Sequence, residues 1–403
     1  MSARGVGIVV TAEATADAPE PLPTAAPATG MIRGTAVPPE VLRPTGSSRA
    51  SRPIGRPASW PAILGVVDGD AVRCVACAHR CLLRPGRAGI CRVRENRDGR
   101  LVSTVYGQAV AANADPIEKK PLFHVHPGSV AFSIATRGCN FHCLHCQNWA
   151  ISQAERDGLA VPSFELPPAA VVAAALASGS RSIAYTYTEP TVFIEYVLDT
   201  ARLAERAGLA NVLVTNGYQT PEALDVLAPH IQAANVDLKS FEDRFYRRVL
   251  GARLAPVLAT LAGMRRRGIW VEVTTLLIPG LNDDPAEVAR LAAWIVSELG
   301  PETPWHVSRF FPTYRLTDLD PTPAAAILRA VEAGRAAGLR HVYSGNLAGG
   351  DEDTRCAECG ETLIRRIGFE ARRAALVDGR CGRCGYSLAG VGLAEWSAPG
   401  SAS

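Results

Sequence analysis

Between about residue 129 and residue 348 the chain alternates short β-branched or apolar runs with Ala-, Leu- and Arg-rich stretches, and this alternation narrows the possible folds more than any other feature. The strand candidates are SVAFSIAT, SIAYTYT, NVLVTNG, AANVDLK, WVEVTTLLI, WHVSRFF and HVYSG. Between them, FIEYVLDTARLAERAG, APVLATLAGMRRRG, PAEVARLAAWIVSELG and PAAAILRAVEAGRAAG read as helices, each closed by the glycine that helix ends favour. Strand followed by helix at this spacing demands parallel strands joined by crossover helices. Six or seven such units fall short of an eight-stranded barrel, so the pattern predicts an α/β chain with a partial (β/α)6-type barrel over 106–350.

Polar residues recur where these strands end. Thr188 and Glu189 follow the second, Thr215 and Asn216 the third, Asp237 and Lys239 the fourth, Thr274 and Thr275 the fifth. Ser308 and Arg309 follow the sixth, and Ser344 and Asn346 the last. In a parallel barrel the carboxyl ends of the strands form one rim, where sites are built. Many separate polar groups are therefore expected in a single mouth.

The first strand runs into RGCNFHCLHCQNW, with Cys139, Cys143 and Cys146 in a C-x3-C-x2-C spacing. A closed tetrahedral metal site takes four ligands, and the motif offers three. Three thiolates suit three corners of a 4Fe–4S cluster, which leaves one iron open to a small molecule. The competing reading is a zinc knuckle completed by His142 or His145.

Two further cysteine sets account for the remaining eight of the 11 cysteines. Cys356 and Cys359, then Cys381 and Cys384, form paired C-x2-C knuckles 21 residues apart, predicting a zinc-ribbon-like domain over 351–403. Cys74, Cys77, Cys81 and Cys91 lie in a segment spanning 59–105. Their uneven spacing suits either zinc or a second cluster for electron entry. His79 and Arg80, between them, read as surface groups.

Clustered thiols of this kind belong in a reducing compartment, so a cytoplasmic chain is expected. No stretch approaches the roughly 20 apolar residues of a membrane span, and the start of the chain lacks the pattern of a secretory signal. Residues 1–58, rich in Ala, Pro, Thr, Ser and Gly, predict a disordered tail. A net charge of +3, from 42 basic and 39 acidic residues without a long single-sign run, gives no indication of nucleic-acid binding.

From Cys74 to about Cys384 the chain resembles the pyruvate formate-lyase activating-enzyme-like branch of the radical S-adenosylmethionine (SAM) enzymes, and within it the radical SAM enzyme of the AmmeMemoRadiSam system. The stretches that carry the resemblance are CVACAHRCLLRPGRAGICRVR, GCNFHCLHCQNWAISQ, AYTYTEPTVF, LVTNGY, VDLKSF, VEVTTLLIPGLND and PWHVSRFFP. It implies a 4Fe–4S cluster at Cys139, Cys143 and Cys146 whose open iron takes SAM. Reductive cleavage of SAM then yields a 5′-deoxyadenosyl radical. Glu189 in TYTEPT matches the glutamate that holds the cofactor's amino group, with Tyr187 and Thr188 standing where that motif has two glycines. Asn216 and Thr274 match rim positions lining the cofactor. Asp237 and Lys239 match a site near it, either as contacts or as a structural ion pair. In PWHVSRFFP, Arg309 is the polar candidate.

Implied partners are a one-electron donor such as flavodoxin or ferredoxin, and Memo-like and AMMECR-like proteins. Two functional classes follow: a radical enzyme acting on a protein or small molecule, glycyl-radical activation included, or an iron–sulfur and zinc scaffold or electron-transfer subunit. The polar rim favours the enzyme, since a scaffold has no use for Glu189, Asn216 and Thr274 in one mouth.

Overall fold

The computed structural model describes residues 59–347, 350 and 352–395; the tail expected over 1–58 lies outside them. One sheet organises the chain. Its strands are β1 (Ala111–Pro116), β2 (Val130–Ala135), β3 (Ser182–Tyr185), β4 (Ala210–Thr215), β5 (Ala233–Asp237), β6 (Trp270–Leu277), β7 (Trp305–Arg309) and β8 (Val342–Gly345). They lie side by side in chain order, an open sheet with β1 and β8 at its edges. Strands β2 to β8 are all parallel, and six crossovers link them.

The seven parallel strands fall on the seven apolar runs of the sequence. The eighth, β1, pairs antiparallel with β2, setting Ala111 opposite Ala135 and Pro116 opposite Val130. Its sequence, AANADP, has no β-branched residue and ends in proline. Such a strand is tolerated at an edge, where an unpaired N–H is not needed.

The crossover helices bury one face against the sheet, and local chemistry fixes where they start. Asp284 accepts from the N–H of Glu287 at 3.0 Å at the head of the helix Pro285–Leu299, with Pro285 in its first turn. The helix Ile194–Arg206 buries Ile194, Val197, Leu198 and Ala201 in the same core as Leu213, Val236, Val273 and Trp305. No helix among the described residues is long and apolar enough to cross a membrane.

Two small units attach at opposite ends of the sheet. Residues 352–395 form short hairpins around Leu363, Ile364, Leu376 and Leu388. They close the amino ends of the strands: Arg366 donates to the Phe123 carbonyl at 2.7 Å, and the ring of His124 meets the Ala389 carbonyl at 2.8 Å. Beneath them lies Glu272, fully buried, accepting from the N–H groups of Phe123 (2.9 Å) and His124 (2.8 Å) and bonded to His306 Nε2 at 2.7 Å. At the other end, hairpins including Gly65–Asp68 with Ala71–Cys74 carry the first cysteine set. Thr220 fastens them, donating to the Val75 carbonyl at 2.6 Å.

A candidate cluster site at the carboxyl ends of the strands

Cys139, Cys143 and Cys146 lie on the loop leaving β2. Its geometry is fixed by backbone bonds to a neighbouring turn: His142 N–H donates to the Leu250 carbonyl (2.8 Å) and Leu144 N–H to that of Val249 (3.1 Å). Phe141, fully buried, anchors the middle against Tyr218 and Tyr246. Gly138 has φ +89, and a Cβ there would come within 2.7 Å of the Cys91 carbonyl oxygen, so only glycine fits.

Donors surround the sulfurs. Phe141 N–H points at Cys139 Sγ over 3.4 Å, and Ser152 Oγ lies 3.1 Å from Cys146 Sγ. Burial pushes the Cys139 thiol well above its ordinary value and that of Cys143 up to about 12. A bound metal acts against that rise, because thiolates rather than thiols are its ligands.

Glu189 stands next to this loop, after β3, and is fully buried. Its carboxylate accepts from Thr191 Oγ1 (2.5 Å), Thr191 N–H (3.1 Å), Thr215 Oγ1 (2.8 Å) and Asn216 N–H (2.9 Å). Burial pushes its pKa up, and these donors act against that rise. Among the described residues no Lys, Arg or His pairs with it. A buried carboxylate held by neutral donors beside three thiols is ready for a cationic ligand group.

Asn216 ties the two features together, since its side-chain amide donates to Asn140 Oδ1 at 2.7 Å and lies 3.8 Å from Cys139 Sγ. Tyr187 keeps the left-handed backbone, φ +63, where the resemblance places a glycine. The turn geometry is retained although the glycine is not.

The other rim residues are placed as follows. Lys239 Nζ bonds Asp237 at 2.8 Å, and the charge of Lys239 draws the Cys143 pKa down, against burial. Thr274 donates to Asn235 Oδ1 at 3.0 Å, below the rim. Arg309 Nε is committed to the Thr322 carbonyl at 2.6 Å, with its guanidinium over Phe311. Of these rim residues, Asn216 bonds the cysteine loop directly, and Glu189 is joined to it through Asn216.

One surface assignment needs correction. His79 is half-buried, and its Nε2 bonds the Asn140 carbonyl at 2.8 Å, joining the first cysteine segment to the cluster loop. His145 is buried beside Cys146, its pKa driven down to about 3 by desolvation.

The sequence reading missed a polar group on the edge strand β1. Asp115 on β1 is paired with Lys119 (2.9 Å) and Lys120 (2.6 Å) and accepts from the Tyr187 hydroxyl; Lys120 Nζ lies 4.5 Å over the Tyr187 ring. The signal available was the Asp115 to Lys119 spacing of four.

At the far end of the molecule, Cys356 Sγ lies 3.5 Å from Cys384 Sγ and Cys359 Sγ 3.7 Å from Cys381 Sγ. Among the described residues this is the one group of three or more potential ligands gathered within 4.8 Å. Four thiolates about one ion at roughly 2.3 Å would stand about 3.8 Å apart, so the spacing is that of a single tetrahedral ion. Among the described residues, neither His142 nor His145 joins the Cys139 loop in such a group, as a zinc knuckle would require.

A model of the radical SAM superfamily matches residues 133–292, which include the cysteine loop, Glu189, Asn216, Asp237, Lys239 and Thr274. An uncharacterized protein of Methanocaldococcus jannaschii is 43% identical over 325 residues, 80% of this chain and 96% of that one. The isethionate sulfite-lyase activating enzyme of Nitratidesulfovibrio vulgaris is 29% identical over 114 residues, 28% of this chain and 37% of that enzyme. A solved domain of a pyruvate-formate lyase-activating enzyme from Bacteroides vulgatus aligns with 41% of this chain and 99% of its own, at a TM-score of 0.36 and 16% identity. The superfamily's domain brings with it SAM and a 4Fe–4S cluster, and the three thiols with their adjacent carboxylate fit both. With the long match to the archaeal protein, this places the chain among the enzymes of the radical SAM superfamily.

Proposed function

We propose that this protein holds a 4Fe–4S cluster on Cys139, Cys143 and Cys146, binds SAM through Glu189, and uses the resulting radical on a protein or small-molecule partner. The observation that carries the reading is the Glu189 carboxylate, buried among four donor contacts and joined through Asn216 to the loop of Cys139. When bound, the cluster supplies the electron that cleaves the SAM sulfonium to methionine and a 5′-deoxyadenosyl radical.

The chain's own part is binding and placement. Glu189 offers its charge to the cofactor's ammonium, while Asn216 holds that carboxylate and the cysteine loop in one register. Lys239 places positive charge beside Cys143, which favours the thiolate. Thr274 presents a hydroxyl below the rim, Asp237 fixes Lys239, and Arg309 borders the mouth. At the far end, Cys356, Cys359, Cys381 and Cys384 take one zinc ion, whose binding energy is coupled to the folding of that small unit.

The extent of the motif resemblance supports a place in the AmmeMemoRadiSam system, with Memo-like and AMMECR-like proteins as partners and a flavodoxin or ferredoxin as electron donor. The test is to add each purified partner to the reduced enzyme and follow 5′-deoxyadenosine. Stimulation of several-fold by one of them is expected; an unchanged rate with both contradicts the partnership. A second reading, glycyl-radical activation, is favoured by the similarity to the isethionate sulfite-lyase activating enzyme. Appearance of a glycyl radical signal in a co-purified lyase would select it.

A further inference from the structure

Cys74, Cys77, Cys81 and Cys91 have no part in the reading above. They come from three places in the fold: the end of the strand Ala71–Cys74, the turn that follows it, and the turn ahead of Arg94–Arg97. Together with Arg94 and Thr191 they wall a largely enclosed cavity of about 20 Å³. That is room for about one water molecule.

The two four-cysteine sets differ in a way that bears on what they hold. The C-terminal sulfurs approach to 3.5 and 3.7 Å, leaving space between them for one ion and nothing larger. Among the described residues the N-terminal sulfurs do not gather within 4.8 Å, and a void separates them. A cubane cluster presents a separate iron to each of four thiolates, and so spreads them wider than one metal ion can.

A charged donor also reaches this set. Arg94, fully buried, donates from Nε to Cys74 Sγ at 3.3 Å and from Nη1 to both carboxylate oxygens of Glu195 at 2.9 Å. A guanidinium hydrogen-bonded to a ligand sulfur stabilises the added negative charge of a reduced cluster, which is one of the ways proteins set cluster potentials.

Three contacts carry this set to the edge of the radical SAM loop. The Cys91 carbonyl oxygen packs on Gly138, the residue before Cys139. His79, between Cys77 and Cys81, bonds the carbonyl of Asn140, the residue after Cys139. Thr191, on the cavity wall, donates its hydroxyl to Glu189 at 2.5 Å. One layer of residues separates the two sets.

We propose that Cys74, Cys77, Cys81 and Cys91 hold a second 4Fe–4S cluster through which the reducing electron enters the protein. The balance is one electron throughout: a low-potential flavodoxin or ferredoxin is oxidised by one electron, the second cluster is reduced by one and re-oxidised as it passes that electron on, and the cluster at Cys139 receives it. The relay half of this statement rests on the radical SAM reading of Cys139; the identity of the second site does not.

The test uses the full chain with Cys139→Ala, Cys143→Ala and Cys146→Ala combined, reconstituted anaerobically with iron and sulfide, so that the N-terminal set itself is untouched. The inference expects about four iron and four sulfide per chain to remain beside one zinc. It further expects reduced flavodoxin to generate the paramagnetic signal of a reduced cluster in this variant. Two zinc and no iron per chain would overturn the second cluster. A residual cluster that dithionite reduces and flavodoxin does not would overturn the entry route. Failure of the wild type to cleave SAM, with iron still at about eight per chain, would instead count against the radical reading and leave the second cluster standing.

Discussion

Asn216 donates its backbone N–H to the carboxylate of Glu189 over 2.9 Å. The same residue reaches Asn140 in the cysteine loop with its side chain, so the buried carboxylate and the cysteine loop share one support. Glu189→Ala removes the charge but none of the three thiols. Loss of a charge-assisted hydrogen bond costs about 1.5–3 kcal/mol, so SAM affinity measured by equilibrium dialysis should fall roughly 10- to 100-fold while iron content stays at the wild-type level. Equal affinity in the variant would remove Glu189 from the site.

Beside the edge strand β1, Lys120 is buried and depends on Asp115. Asp115→Ala would strand that ammonium and the hydroxyl of Tyr187, destabilising the fold by about 3–5 kcal/mol in urea unfolding. Pairing it with Lys120→Met should recover most of the loss, because the uncompensated charge is gone. A double variant as unstable as the single one would mean that the pair does more than neutralise itself.

Glu272 gives a pH prediction. Burial acts to raise its pKa, but the bond to His306 and the N–H of His124 outweigh that, and the folded value lies below the ordinary 4.5. A carboxyl depressed in the folded state contributes stability that is complete above its unfolded value and is lost as pH falls below it. Wild-type stability should therefore drop as pH falls below about 4.5, and Glu272→Gln should flatten that part of the profile. An unchanged acid limb in the variant would contradict the assignment.

For the C-terminal unit, Cys381→Ser should abolish zinc binding and unfold the hairpins, whose own core is small. Limited proteolysis should then cut within 352–395 while the iron at Cys139, Cys143 and Cys146 remains. Retention of zinc, or loss of that iron together with it, would contradict a self-contained zinc site.

Much of this was legible in the sequence because it depends on periodicity and spacing. Parallel strands buried on both faces are mostly apolar, as Ile183, Ala184 and Tyr185 in β3 are, and all seven were recognisable for that reason. The strand β1 was not, since an edge strand escapes that demand and can carry Asn113 and Asp115. Glu189 stood out by its position at a strand end. Thr215 and Asn216 stood out as well, but their bonds to Glu189 did not, because they reach it only after β3 and β4 pair. The difference between the two four-cysteine sets also lies outside the sequence: both offer four thiols, and only folding shows that one set is drawn tight and the other stands around a void.

The most direct test of the account is the anaerobic conversion of SAM to 5′-deoxyadenosine by the reconstituted, reduced protein, with Cys143→Ala run in parallel. The account predicts formation of 5′-deoxyadenosine and methionine by the wild type, and none above background by the variant, which keeps two of three ligands and cannot hold the cluster. Full cleavage activity in Cys143→Ala would show that the cysteine loop is not the site of the chemistry.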